Sequence, residues 1–159
     1  MVLVDEGALF THEPRVLQMA ARGLADLPLT VVLLAGEGRV PGLDIGRLAP
    51  NVILQPHAPL SDLLPLAYAL VSNGNSESVL AALQAGLPAI VLPSTWDQAE
   101  MAWRVAETGA GLRISPWRAT PARLRRAVLR VLGEPSFRDN AFKMGAALAS
   151  CGGPPAPPG

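Results

Sequence analysis

The stretch ALVSNGNSESVLAALQAGLPAIVLPSTWDQ, Ala69–Gln98, decides the fold. An apolar strand, Ala69–Ser72, runs into a polar loop of Asn, Gly and Ser at Asn73–Ser76. A helix follows to Ala85, Gly86 stops it, and Pro88–Leu92 forms a second apolar strand. That strand ends in another small polar loop, which closes on Asp97 and Gln98. Strand, helix and strand in this order make a βαβ unit, and open α/β sheets bind ligands outside the carboxyl ends of their strands. Both loops belong at that edge. The first loop also enters a helix N-terminus, whose free N–H groups and positive dipole end suit an anion. The pattern predicts phosphate at the first loop and a polar group beside it read by Asp97 and Gln98.

Working outward, the remaining chain repeats the alternation. Val2–Val4 reads as a short buried strand, followed by a loop over 5–13 containing Gly7. Pro14 suits a first helical turn, and Val16, Leu17, Ala20, Ala21 and Leu24 recur at helical spacing toward Leu27, before Pro28. Leu29–Leu34 is apolar on both faces and reads as the clearest central strand. It ends in Gly36-Glu37-Gly38 and a long loop to Asn51. Val52–Leu54 is a further short strand, and Leu60–Ala67 a short helix with Ser61 or Asp62 as its cap. Beyond Gln98 a helix runs to Thr108 and stops at Gly109-Ala110-Gly111, and Leu112–Ile114 reads as an edge strand. Thr120-Pro121 opens a helix with Leu124, Val128, Leu129 and Leu132 on one face and Arg123, Arg125, Arg126 and Arg130 on the other, a solvated face. A last helix covers 135–149. The expected fold is α/β: a Rossmann-like three-layer parallel sheet of about six strands with helices on both faces. Residues 1–150 make one domain, and 151–159 a disordered Gly/Pro tail.

Composition narrows the function. Half of the 159 residues are hydrophobic and 16% are charged, as in a globular chain. Basic and acidic residues balance at 13 each, which argues against a general nucleic-acid or anionic-membrane binder. No apolar run approaches the ~18 residues that span a bilayer. The lone Cys151 fits a reducing compartment, and with no signal-peptide pattern the expected setting is cytoplasmic. His12 and His57 stand outside any cluster with metal-ligand spacing, so no metal site is expected. Gly36-Glu37-Gly38 lacks the third glycine and the helix of a dinucleotide fingerprint, and no Walker lysine motif occurs.

Three features remain for chemistry. The loop Ser72–Ser78 offers backbone turns and hydroxyl donors for phosphate oxygens, or simply a helix capped by Ser76 or Ser78; Glu77 there opposes an anion. Asp97 with Gln98 suits the vicinal hydroxyls of a sugar, or helix capping by Asp97. Trp96 beside them packs either on a sugar or partner, or in the core.

The run from Val71 to Ile114 resembles the C-terminal, donor-binding half of GT-B fold glycosyltransferases, closest to the UDP-glycosyltransferases and the antibiotic macrolide and glycopeptide enzymes. Their pattern T-H-G-G-x-G-T/S-x-x-E-A-L-x-x-G-V-P-x-x-x-x-P-x-x-x-D-Q is met here at Gly74, Ser78, Ala82, Leu83, Gly86, Pro88, Pro93, Asp97 and Gln98. The likeness extends from the Val2–Gly7 opening strand to about residue 149. It implies an inverting, metal-independent hexosyl transfer from a UDP- or dTDP-linked sugar, with no cofactor because the nucleotide-sugar is a substrate. The resemblance implies diphosphate contacts at Gly74, Ser78 and the Gly7 loop, sugar contacts at Asp97 and Gln98, and a base side at Leu54, Pro56 and His57; with the loop chemistry above, the expected diphosphate site is Gly7, Asn73, Gly74, Asn75, Ser76 and Ser78, and the sugar site Trp96, Asp97 and Gln98. It also implies an N-terminal acceptor domain carrying the catalytic base, so no catalytic residue is expected in this chain, which should be inactive alone. Departures from the pattern are Asn73 for His, Asn75 and Glu77 for two glycines, and Ala81 for the ribose-gripping Glu. These substitutions favour an alternative, a non-catalytic glycosyltransferase-like partner or activator.

Overall fold

A computed structural model describes residues 1–7, 14–36 and 44–151. Six strands, β1 (Val2–Asp5), β2 (Val31–Leu34), β3 (Val52–Gln55), β4 (Ala69–Ser72), β5 (Ala89–Val91) and β6 (Gly111–Arg113), form one parallel sheet in the order β3-β2-β1-β4-β5-β6. Six helices accompany them: α1 (Arg15–Gly23), α2 (Leu60–Leu63), α3 (Ser76–Gln84), α4 (Trp96–Glu107), α5 (Pro121–Gly133) and α6 (Pro135–Ser150). This is the expected Rossmann-like three-layer architecture.

The pleat explains why the strands are apolar throughout. Successive side chains point to opposite faces of a sheet, and here both faces are covered. Val2, Val4, Val31, Leu33, Ala69, Val71 and Ile90 join the core beneath α1 and α5, with Leu17, Leu24, Leu124 and Val128. Leu3, Val32, Leu34, Leu70, Ala89 and Val91 join the opposite core with Val79, Leu83, Ala102 and Val105 of α3 and α4.

Several local expectations are corrected. The 29–34 strand begins at Val31 and lies between β1 and β3, while β1 and β4 hold the middle of the sheet. Helix α1 ends at Gly23, short of Leu27. The chain turns there through Asp26 at φ +61°, and Asn51 holds the turn. Its Oδ1 accepts from Asp26 N at 2.9 Å, and its Nδ2 donates to the carbonyls of Leu24 at 2.9 Å and Leu29 at 3.1 Å. The 60–67 helix is one α-turn followed by a 3-10 turn, Leu64–Leu66, at Pro65, which has no N–H to continue an α-helix. Neither Ser61 nor Asp62 caps it; Pro59 stands at the N-cap with no side-chain bond.

Thr120 does cap α5, accepting from Arg123 N at 3.1 Å. The buried stripe of α5 is Leu124, Val128 and Val131, whereas Leu129 and Leu132 are exposed. Arg123, Arg126 and Arg130 are exposed as expected, but Arg125 is not simply solvated: its Nη1 donates to the Gly23 and Ala25 carbonyls at 3.3 and 3.0 Å, closing the C-terminus of α1. The 152–159 tail, His12 and the Glu37-Gly38 turn lie outside the described residues.

Candidate functional site

Register puts the strand ends in a row. Gln55 pairs with Leu34, Leu34 with Asp5, Asp5 with Ser72, Ser72 with Val91, and Val91 with Arg113. The loops after β1, β3, β4 and β5 therefore share one rim of the sheet. The strand order reverses between β1 and β4, and this switch point is where doubly wound sheets open a ligand crevice. The buried polar side chains among the described residues are Glu6, Ser72, Asn73 and Ser78, and all four stand at this mouth.

The loop after β4 is shaped by its own side chains. Ser72 Oγ accepts from Gly74 N at 3.1 Å, and Asn73 Oδ1 from Asn75 N at 3.1 Å. Asn75, rather than Ser76 or Ser78, is the N-cap of α3, with Oδ1 accepting from Glu77 N at 3.1 Å. Asn caps as well as Ser, and its longer side chain reaches the second helical N–H. Asn73 is buried and also donates from Nδ2 to the Glu6 carbonyl at 2.6 Å, tying β4's loop to β1's. Its two polar ends are engaged within the protein. Ser76 and Glu77 are exposed at the start of α3.

Gly74 joins this loop to the next one. Its φ is +99°, and a Cβ there would lie 2.9 Å from the Gln98 carbonyl oxygen and 3.1 Å from Gln98 Cα. The first turn of α4 thus rests directly on the β4 loop, bringing Asp97 and Gln98 beside the crevice. Gln98 is oriented by Ser94, whose N and Oγ donate to its Oε1 at 2.9 and 2.8 Å. Its Nε2 donors have no protein partner among the described residues. Asp97 is exposed and caps nothing: Thr95 is the N-cap of α4, without a side-chain bond, and Asp97 stands in the first turn where the dipole favours a carboxylate. Trp96 is 92% exposed, so it is not a core residue.

On the other side of the crevice, Gly7 N donates to Asp5 Oδ1 at 3.1 Å, and Gly7 packs on the Asn75 side chain. Pro56 and His57 are exposed after β3, with Leu54 half-buried within it. They lie three strand spacings from β4, about 14 Å away, so the base-side and diphosphate-side residues flank an extended crevice rather than one point. Among the described residues no three His, Cys, Asp or Glu side chains gather to hold a metal ion.

Two residues at this mouth escape a reading by local pattern. Glu6 is buried and its Oε1 accepts from Val16 N at 2.5 Å, capping α1 from ten residues upstream. Asp5 Oδ2 accepts from Asn75 Nδ2 at 3.3 Å and from the Ser78 hydroxyl. Their one sequence signal is a pair of carboxylates at the end of the apolar opening strand.

The 3-2-1-4-5-6 parallel sheet with helices on both faces places the chain in the Rossmann-like α/β class, the fold it shares with GT-B glycosyltransferases. Residues 19–157 match the family described as Erythromycin biosynthesis protein CIII-like, C-terminal domain, and the chain belongs to that family. It is 29% identical to demethyllactenocin mycarosyltransferase of Streptomyces fradiae over 97% of its length, and 34% identical to 4'-demethylrebeccamycin synthase of Lentzea aerocolonigenes over 91%. Each alignment covers 33% of the relative, so the chain spans about a third of the curated relatives it matches. The calicheamicin glycosyltransferase CalG4 superposes at a TM-score of 0.84 with 32% identity, covering 96% of this chain and 40% of that one. The glycosyltransferase VinC, solved in complex with dTDP, superposes at 0.77 with 29% identity over 94% of this chain and 37% of its own. No helix among the described residues is long and apolar enough to cross a membrane.

Proposed function

We propose that this chain is the donor-binding part of an inverting, metal-independent glycosyltransferase that takes a UDP- or dTDP-linked sugar. The observation that carries the reading is the gathering of buried polar side chains at the β1/β4 switch point, against the start of α3. Family membership and the dTDP complex of VinC support the choice of ligand.

In this reading the diphosphate lies against Gly7, Asn73, Gly74, Asn75, Ser76 and Ser78. Asn73 and Gly74 act by shaping the backbone; the exposed Ser76 and the α3 N-terminus act by donating. The base extends toward Leu54, Pro56 and His57, and the sugar meets Trp96, Asp97 and the free amide of Gln98. In the transfer step an acceptor hydroxyl oxygen bonds to the anomeric carbon as the bond from that carbon to the diphosphate oxygen breaks. The hydroxyl proton passes to a base, and the electron pair stays on the nucleoside diphosphate. Negative charge therefore grows on the diphosphate, where oriented N–H donors and a helix dipole stabilise a transition state most. The acceptor site and the base belong to an N-terminal domain outside this chain, which alone binds donor without transferring sugar. The setting is cytoplasmic, and the nucleotide-sugar is a substrate rather than a cofactor.

Calorimetric titration of the 159-residue chain with UDP, dTDP and GDP tests this. Saturable heat with UDP or dTDP is expected; neither heat nor a thermal shift with any of them at millimolar concentration contradicts it. A second reading, a non-catalytic partner or activator of an active glycosyltransferase, is favoured by the internal use of Asn73 and by Ala81 in place of a ribose-binding carboxylate. In a complementation assay, Asn73→His with Ala81→Glu changes nothing if that reading holds.

A further inference from the structure

We propose that Asp5 is a built-in occupant of the diphosphate cradle, competing with the ligand's phosphate oxygens for the same donors. The inference rests on the donor-binding reading above and adds a residue that sets its affinity. Asp5 ends β1 directly opposite Ser72 of β4, so its carboxylate stands at the switch point. Three donors converge on it: Gly7 N on Oδ1 at 3.1 Å, and Asn75 Nδ2 at 3.3 Å and the Ser78 hydroxyl on Oδ2. Asn75 Nδ2 also donates to Ser78 Oγ at 2.9 Å, so the first-turn side chains of α3 form one connected set turned toward Asp5.

A carboxylate here resembles the ligand it displaces. Carboxylate and phosphate oxygens accept the same charge-assisted bonds, and the dipole of α3 favours either anion. A diphosphate entering the mouth must take Asn75 and Ser78 from Asp5 and then lie beside a like charge. The cost falls on the phosphates alone, because the base side at Pro56 and His57 follows β3, two strand spacings or about 10 Å from β1. Asp5 thus lowers affinity for the nucleoside diphosphate while leaving recognition of the nucleoside untouched.

The test compares the wild-type chain with Asp5→Ser, which removes the carboxylate, and Asp5→Asn, which keeps its shape without charge. Each is titrated with UDP and dTDP and, separately, with uridine and thymidine, after thermal melting establishes that it is folded. If Asp5→Ser does not fold, the isosteric Asp5→Asn carries the comparison. Removing one like charge next to a diphosphate is expected to tighten UDP or dTDP binding by about tenfold or more. The nucleosides should stay within about twofold of wild type, a split that a merely structural role for Asp5 would not give. Diphosphate binding unchanged or weaker in the folded variants overturns the proposal and leaves the donor-binding reading standing. So does equal tightening of nucleoside and diphosphate. No binding of any nucleotide to wild type or variant overturns both.

Discussion

Replacing Gly74 by alanine should damage the molecule in two separable ways. At φ +99° an L-residue is strained, a cost of roughly 2 kcal/mol for leaving the allowed regions. The new Cβ would also sit 2.9 Å from the Gln98 carbonyl oxygen and 3.1 Å from its Cα, backbone atoms that move only if the first turn of α4 moves. Forced repacking of this kind costs typically about 1–3 kcal/mol. Together these give roughly 3–5 kcal/mol, a large share of the ~5–15 kcal/mol that holds a domain folded. For a chain of this length that lowers the melting temperature by on the order of 10 °C. Gly46→Ala separates the terms, because Gly46 has φ +73° with nothing among the described residues within 4 Å of a Cβ. It should lose only the backbone part, about 1–2 kcal/mol. Both variants are measured by urea unfolding and calorimetry. If Gly74→Ala melts within a degree or two of Gly46→Ala, the close seating of α4 on the β4 loop is wrong.

Asn51→Ala removes three side-chain bonds from the turn after α1 and should cost about 2–3 kcal/mol, read as a lower urea midpoint at unchanged slope. Thr120→Ala deletes the cap of α5 and should cost about 1 kcal/mol in the same assay. Trp96→Ala should leave stability within about 0.5 kcal/mol, because that side chain is 92% exposed, yet weaken binding of the intact nucleotide-sugar relative to the free nucleotide.

The alternation of apolar runs with helical stripes made the sheet legible, because a doubly covered parallel strand has little choice but to be apolar. The Ala69–Ser72 and Pro88–Leu92 runs fell on β4 and β5, and Thr120-Pro121 marked the start of α5 as its chemistry requires. Local patterning failed where partners come from afar. Asn75 caps α3, whereas Ser78 lies inside the helix and gives its hydroxyl to Asp5, 73 residues away in sequence. Arg125 looked like one more solvated cation, yet the end of α1 supplies it with carbonyls 100 and 102 residues distant. The motif alone marked Asn73 as a ligand-facing residue; only the approach of β1 shows that its amide bridges two loops. Trp96 was ambiguous for a different reason, since an apolar side chain at a helix start carries no mark of which way it faces.

Amide hydrogen exchange with and without saturating UDP or dTDP bears most directly on where the donor sits. The account predicts slowed exchange in segments covering Asp5–Gly7 and Ser72–Ser78, with the middle of α5 unchanged. Protection confined instead to the arginine-lined groove of Arg113, Arg118, Arg123, Arg126 and Arg130 beside β6, with the β1/β4 mouth unaffected, would contradict it.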